Sequence, residues 1–201
     1  MDQVDVRAAV ARLHGRVRRT PLLPLALPEA GRREVWVKAE SLQLTGSFKV
    51  RGATNFLASL PEPERRRGVV THSSGNHAQG VAHAAAAFGV PATVVIPEGA
   101  PEVKVRRTLA LGAKVVRCRN TQADREATAA RIAAETGATL LPPFDDARVV
   151  EGQSTVGVEV AEDLPRVANV LVPVGGGGLA SGVCAALARL APEARVIGVE
   201  P

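Results

Sequence analysis

Short apolar runs alternate along the chain with longer segments whose apolar residues recur at helical spacing, and Gly or Pro separates most of them. The short runs predict strands at residues 35–39, 69–71, 92–96, 114–117, 170–174 and 196–199. The longer segments predict helices at 47–58, 75–88, 102–111, 122–136, 149–164 and 179–190. Because strands alternate with helices, the sequence indicates an α/β fold with a parallel sheet and helices on its faces.

The composition predicts a globular protein of a reducing compartment. The 201 residues are 46% hydrophobic and 22% charged, which is enough for a core and excludes global disorder. The sequence shows no apolar run of bilayer length and no apolar leader near Met1, so we expect neither a membrane partner nor secretion. Cys118 and Cys184 lie far apart, which makes a disulfide scaffold or thiolate zinc site improbable and favours the cytoplasm.

The net charge of +5 comes from scattered arginine clusters. Such clusters raise the hypothesis of a basic binding module for nucleic acid. Aromatic residues make up only 2% of the chain and Tyr is missing, so a platform for stacking bases is not available. We therefore expect solvated arginines and no nucleic-acid partner.

The predicted strand at 170–174 leads directly into four glycines, Gly175 to Gly178, and then into a helix. Free backbone N–H groups and the positive end of a helix dipole would make this turn a cradle for phosphate. The segment 175–180 also fits G-x-G-x-x-A, and Glu200 follows 25 residues after Gly175. That spacing is typical of dinucleotide-binding folds, so an NAD(P)-binding oxidoreductase stays open on this evidence.

The segment TGSFKVRGA, residues 45–53, contains Lys49. Thr45 or Ser47 can cap a helix that starts here, which would place Lys49 in its first turn. There the helix dipole disfavours the ammonium form and lowers the pKa of the amine. A neutral amine is the nucleophile that a Schiff base needs. Taken alone, however, the segment is better explained by an ordinary surface lysine on an amphipathic helix.

The segment THSSGNHAQG, residues 71–80, follows a predicted strand and opens a helix. Ser74, Asn76 and the nearby backbone N–H groups could hold a carboxylate at the start of that helix. The alternative is a plain capping turn. His72, His77 and His83 lack acidic partners at ligand spacing, so a zinc site is not expected.

These three segments, in this order, resemble the fold type II pyridoxal-phosphate enzymes of the tryptophan-synthase-β superfamily, and most closely the threonine/serine dehydratases and serine racemases. Weaker similarity runs from residue 19 to residue 201 and includes PFDD at 143–146 and EGQST at 151–155. The resemblance implies that pyridoxal 5'-phosphate is bonded to Lys49, with Phe48 beside its ring. It implies cofactor contacts from Asn76 and Gly175, Gly176, Gly177 and Gly178, and substrate contacts from Ser73, Ser74, Gly75, Asn76 and His77.

The implied reaction is deamination of L-threonine and/or L-serine to a 2-keto acid and ammonia, with a small hydroxyamino acid as substrate. Lys49 would remove the α-proton, and Ser74 could reprotonate the opposite face, which gives serine racemase-type activity as the alternative. Val50 follows the lysine where cysteine and threonine synthases have Asp, which favours the dehydratase and racemase group.

The resemblance also implies a three-layer αβα architecture with two sub-domains. Residues 1–52 and 145–201 would form the larger sub-domain, which holds the cofactor phosphate, and residues 53–144 the smaller one, which holds the substrate carboxylate. Family members continue beyond residue 201, so we expect the larger sub-domain to be truncated and the activity of this chain alone to be reduced. Glu200 matches one ligand of a divalent cation site for Mg²⁺ or Ca²⁺, and a homo-oligomer, dimer or tetramer, is expected.

Overall fold

The computed structural model describes residues 4–31 and 33–200. The helices of this part are α1 Val6–Leu13, α2 Lys49–Ser59, α3 Glu62–Arg66, α4 Asn76–Phe88, α5 Glu102–Ala110, α6 Gln122–Thr136, α7 Ala147–Asp163 and α8 Gly178–Leu190. The strands are β1 Leu22–Pro24, β2 Trp36–Lys38, β3 Val69–His72, β4 Ala92–Pro97, β5 Lys114–Cys118, β6 Thr139–Leu140, β7 Asn169–Pro173 and β8 Arg195–Val199. Within these ranges no helix combines the length and the apolar character that crossing a membrane requires.

The central sheet is parallel and has the strand order β5-β4-β3-β6. Successive side chains of its inner strands enter two different cores, as the alternation of a strand requires. Val69 and Val94 point into the core with α2 and α4, whereas Val70 and Val95 point into the core with α6. The predicted α/β fold with helices on both faces is therefore confirmed.

Two smaller sheets lie outside the central one. Strands β7 and β8 pair in parallel, as expected, but β2 pairs antiparallel with β1. The expectation that the strand at 35–39 joins a parallel sheet is therefore wrong. The division of the chain at residues 53–144 stays a prediction, and it is supported by the position of the whole four-stranded sheet between residues 69 and 140.

Four helices cross one another at backbone distance, and a glycine stands at each crossing. A Cβ atom built on Gly80 of α4 would lie 3.0 Å from the carbonyl carbon of Lys49 in α2. One on Gly152 of α7 would lie 2.6 Å from the Arg51 carbonyl oxygen, and one on Gly182 of α8 would lie 2.6 Å from the backbone nitrogen of Ser154 in α7. The row α4-α2-α7-α8 therefore packs more tightly than helices with side chains at these positions could.

A buried ion network ties the first turn of α2 to α7. Arg51 is 0% exposed, and its guanidinium donates to Glu40 Oε2 at 2.9 Å from Nε and to Glu159 Oε1 at 2.6 Å from Nη1. Nη2 donates to the second oxygen of each carboxylate, at 2.7 Å and 2.9 Å. Lys38 Nζ adds a second cation 2.6 Å from Glu159 Oε2. Two cations and two carboxylates thus balance in the interior, as buried charge requires.

Replacing Arg51 with Leu should strongly destabilise the fold, because Glu40 would lose its cation partner and Glu159 would keep only Lys38. Breaking a buried pair in this way costs about 3–5 kcal/mol. Arg19→Ala is the matched control, since Arg19 pairs with Glu162 and Asp163 at the surface and such pairs contribute about 0–1 kcal/mol. Chemical denaturation of both variants measures their free energies of unfolding. Equal losses in the two variants would contradict the stabilising role assigned to Arg51.

Replacing Gly152 with Ala should also destabilise the protein, although alanine favours helices, because the added methyl meets the backbone of Arg51 and Gly52. Overpacking of this kind costs about 1–3 kcal/mol. In Gly198→Ala the new Cβ lies 3.0 Å from the Cγ2 methyl of Val174, a side-chain atom that can shift, so that variant should lose less. The midpoints of thermal unfolding of both variants and of the parent protein test this prediction. If Gly152→Ala were as stable as the parent protein, the close contact of α7 with α2 would not require glycine at this position.

Candidate active site

Lys49 is the first residue of α2, so its predicted place in a first helical turn is confirmed. The expected cap is wrong. Phe48 is the N-cap and no side chain caps the helix, while Thr45 Oγ1 and Ser47 Oγ are buried and find no hydrogen-bond partner within the described chain. The loop that precedes Lys49 turns these hydroxyls inward and does not aim them at the free N–H groups of α2.

The amine of Lys49 is desolvated and held by one backbone acceptor. Nζ donates to the carbonyl oxygen of Pro143 at 2.7 Å and lies 5.4 Å from the centre of the Phe48 ring. Burial lowers the pKa of Lys49 below its ordinary value. The direction of this pKa shift agrees with the sequence-based expectation, and burial, which the sequence did not indicate, is its cause in the structure.

Residues 73–76 form the turn from β3 into α4. Ser73, Ser74 and Gly75 are half-buried and Asn76 is exposed. Gly75 is the N-cap of α4 and has no side chain to cap it, and its own N–H donates to Ser73 Oγ at 3.2 Å. The alternative of a plain Ser or Asn capping turn is therefore wrong, and the first N–H groups of α4 have no capping side chain.

The imidazole of His77 belongs to the core. It is 3% exposed, and Nε2 lies 3.1 Å from Thr71 Oγ1 and 3.3 Å from the carbonyl oxygen of Leu141. Burial, and secondarily the charge of Lys49, lowers the pKa of His77 to about 3. Because a carbonyl can only accept, the neutral ring carries its proton on Nε2. Only the backbone N–H of His77 is left for the predicted contact with a substrate.

The glycine positions of the loop differ in backbone conformation and in the space that a side chain would have. Gly177 has φ 79° and is the N-cap of α8, again without a side-chain cap. A Cβ on Gly175 would meet nothing within 4 Å, whereas one on Gly176 would lie 2.2 Å from Cδ1 of Phe144. A side chain at Gly176 would therefore collide with Phe144 before it obstructed any ligand.

Three helices thus start at the site without capping side chains, α2 at Lys49, α4 at Asn76 and α8 at Gly178. Elsewhere α1, α6 and α7 have side-chain caps, whereas α3 and α5 have none. Because Gly80 lets α4 touch the backbone of Lys49, the start of α4 lies beside the first turn of α2. The arrangement combines one desolvated amine with two sets of backbone donors, which suits a ligand that carries anionic groups.

Glu200 follows β8 and is exposed. Nowhere in residues 4–31 and 33–200 do three or more His, Cys, Asp or Glu side chains gather closely enough to hold a metal ion. Glu200 therefore belongs to no such group, and its metal role stays a prediction.

Sequence reasoning missed Pro143, Phe144 and Gly80 as parts of the site. Pro143 acts through its carbonyl oxygen, which every residue possesses and which leaves no signal in a sequence. Gly80 lies in an Ala-rich helix, where a glycine costs stability, and that cost is the signal that a close backbone contact was needed.

The chain is similar to known proteins over nearly its whole length. A family model described as pyridoxal-phosphate dependent enzyme matches residues 13–201. An L-threonine ammonia-lyase of Thermotoga maritima is 50% identical over 197 residues, which are 98% of this chain and 49% of that protein. A catabolic L-threonine dehydratase of Escherichia coli is 44% identical over 198 residues, which are 98% of this chain and 60% of that protein.

Among solved structures, maize serine racemase superposes with a TM-score of 0.95 and is 38% identical, and the match covers 100% of this chain and 60% of that one. The chain thus spans about half the length of the curated relatives it matches. The family model covers Lys49, the turn at 73–76 and the loop at 175–178, and the same three segments form the candidate site. The chain belongs to the family of pyridoxal-phosphate-dependent enzymes.

Proposed function

We propose that the protein deaminates L-threonine and/or L-serine to a 2-keto acid and ammonia with pyridoxal 5'-phosphate bonded to Lys49. The observation that carries this proposal is the Lys49 amine, which is half-buried, has a lowered pKa and lies next to the uncapped start of α4. An amine that loses its proton easily can bond to a carbonyl and can then act as a base. The similarity to threonine ammonia-lyases supports the choice of substrate.

The residues present fit this cofactor. The open space at Gly175 and the uncapped N–H groups of α8 make a cradle for its phosphate, and membership of the family favours this use of the loop over a dinucleotide. Lys49 would bond to its aldehyde carbon, Phe48 would lie beside its ring and Asn76 would contact its ring oxygen. When bound, pyridoxal phosphate supplies an electron sink for the electrons of the Cα–H bond.

The chain's own residues would bind, orient and deprotonate the substrate. Ser73, Ser74, Gly75, Asn76 and the N–H of His77 would hold its carboxylate at the start of α4, where the helix dipole favours an anion. The Nζ of Lys49 would hold the cofactor in the absence of substrate and would be available as a base when substrate is bound. Lys49 would then take the α-proton, because its lowered pKa keeps part of the amine neutral and the turn fixes Cα beside it.

Serine racemase-type activity is the second candidate, and the similarity to maize serine racemase favours it. In this case the Ser74 hydroxyl would return a proton to the face opposite Lys49. Incubation of the protein with pyridoxal phosphate and L-threonine, L-serine or D-serine separates the candidates, since deamination releases a 2-keto acid and racemisation interconverts the serine enantiomers. Neither product from any of these amino acids would contradict the proposal.

The remaining proposals concern the ligand, the oligomeric state, the cellular location and the sub-domains of the protein. We expect a small hydroxyamino acid as its ligand, a homo-oligomer, either dimer or tetramer, and a place in the cytoplasm. We expect residues 53–144 to hold the carboxylate and the remainder to hold the phosphate. The start of α4 at Asn76 lies within the first range and the start of α8 at Gly178 within the second, which supports this division.

Reduction of the cofactor-loaded protein with borohydride should fix the cofactor on Lys49 alone, because burial gives this amine the lowered pKa that bond formation needs. Peptide mapping by mass spectrometry measures the position. Lys104→Ala is the control and should label as the parent protein does, whereas Lys49→Ala should not label. A cofactor found on Lys38, Lys104 or Lys114 would refute the assignment of Lys49.

A further inference from the structure

The dipeptide Pro143–Phe144 lies between the two ends of the candidate site. On one side, the Pro143 carbonyl oxygen accepts a hydrogen bond from Lys49 Nζ at 2.7 Å. On the other side, the Phe144 ring lies against Gly176, where a built Cβ would be 2.2 Å from Cδ1 and 2.5 Å from Cε1. The backbone of Phe144 also borders Gly178, whose Cβ would be 3.0 Å from the Phe144 carbonyl oxygen. One dipeptide therefore touches both the lysine and the glycine loop.

The Phe144 ring gives a reason for a glycine at position 176 that the backbone does not. Gly177, with φ 79°, needs glycine because other residues rarely adopt that conformation. Gly176 lies outside the left-handed region, and its surroundings contain the Phe144 ring in place of open space. The absence of a side chain at Gly176 is therefore a matter of fit to Phe144.

Hydrophobic burial does not explain why Phe144 lies here. The side chain is 39% exposed and belongs to none of the hydrophobic core clusters in the described part of the chain. A large aromatic residue left half in solvent, yet seated on a glycine of the loop, stabilises the core little. Its contact with the loop is the property that distinguishes it.

We infer that Phe144 is a positioning residue that fixes the glycine loop relative to Lys49. The inference rests on the proposed function, in which one cofactor is bonded to Lys49 at one end and held by its phosphate at the other. Such a ligand needs a fixed span between its two anchors, because misplacement of either one weakens the other. The peptide bond that joins Pro143 to Phe144 sets that span, since Pro143 orients the amine and Phe144 seats the loop.

A double-mutant cycle between Phe144 and Gly176 tests the inference. Gly176→Ala should weaken pyridoxal phosphate binding about tenfold, because the methyl displaces the ring and the loop moves with it. In a Phe144→Ala background the same methyl has space, so the further loss should fall below about threefold. The dissociation constant of each variant is measured by absorbance titration with pyridoxal phosphate.

Gly175→Ala is the matched control. Its Cβ meets nothing within 4 Å, so it has no contact with Phe144, and its effect on cofactor affinity should be the same with and without the Phe144 ring. If Phe144 only fills space beside the loop, Phe144→Ala alone should bind pyridoxal phosphate as tightly as the parent protein, whereas a positioning role predicts weaker binding by this single variant. The free energy of unfolding of every variant is measured alongside, and if Phe144→Ala does not fold, Phe144→Leu replaces it in both cycles.

The outcomes separate this inference from the function on which it rests. If the parent protein binds pyridoxal phosphate at Lys49 but Gly176→Ala is equally harmful in both backgrounds, the positioning role of Phe144 is wrong and the proposed function stands. If the parent protein does not bind pyridoxal phosphate at Lys49, both fail. Rescue in the Gly176 cycle together with additivity in the Gly175 cycle is the result we expect.

Discussion

The contact of helix backbones through glycine is the constraint on which the site depends. Gly80 brings α4 onto α2, Gly52 and Gly152 bring α2 onto α7, and Gly157 and Gly182 bring α7 onto α8. The starts of α2, α4 and α8 carry the three segments of the site, so their relative positions follow from these crossings. Because interiors pack like organic crystals, one added methyl at a crossing has to shift a whole helix.

Arg51 and Lys49, two cations of the first turn of α2, have different roles because their surroundings differ. Arg51 is completely buried, but two carboxylates satisfy it, so its charge is fixed. Lys49, two residues earlier, is half-buried and its amine donates to a neutral carbonyl only, so burial is not offset and its pKa falls. The paired cation anchors the helix, and the unpaired one next to it has the properties of a nucleophile and base.

The sequence predicts the regular elements well and the contacts between them poorly. All twelve predicted helices and strands occur, with ends that differ by two residues or fewer. The missed strands, Leu22–Pro24 and Thr139–Leu140, are too short to show a period. Two helices were also missed, Val6–Leu13 with about two turns and Glu62–Arg66 with little more than one turn. The glycine loop was singled out by its run of four glycines, whereas Lys49 and Gly75 were assigned to the site through the resemblance of their segments to a known family. The Pro143 carbonyl, the fit of Phe144 to Gly176 and the inward turn of Thr45 and Ser47 are tertiary, so no local pattern encodes them.

Much of the candidate site is built from backbone groups. The proposed carboxylate site and phosphate site are both helix starts whose N-caps are glycine, so their donors are peptide N–H groups that no substitution except proline removes. Few side chains are then left to decide which reaction follows the shared first steps, and they include the exposed or half-buried Ser73, Ser74, Asn76 and Phe144. A framework of this kind is compatible with relatives that are named threonine ammonia-lyase in one case and serine racemase in another. The protein's own reaction is therefore expected to depend on these few side chains, while the helix crossings keep the common backbone site in place.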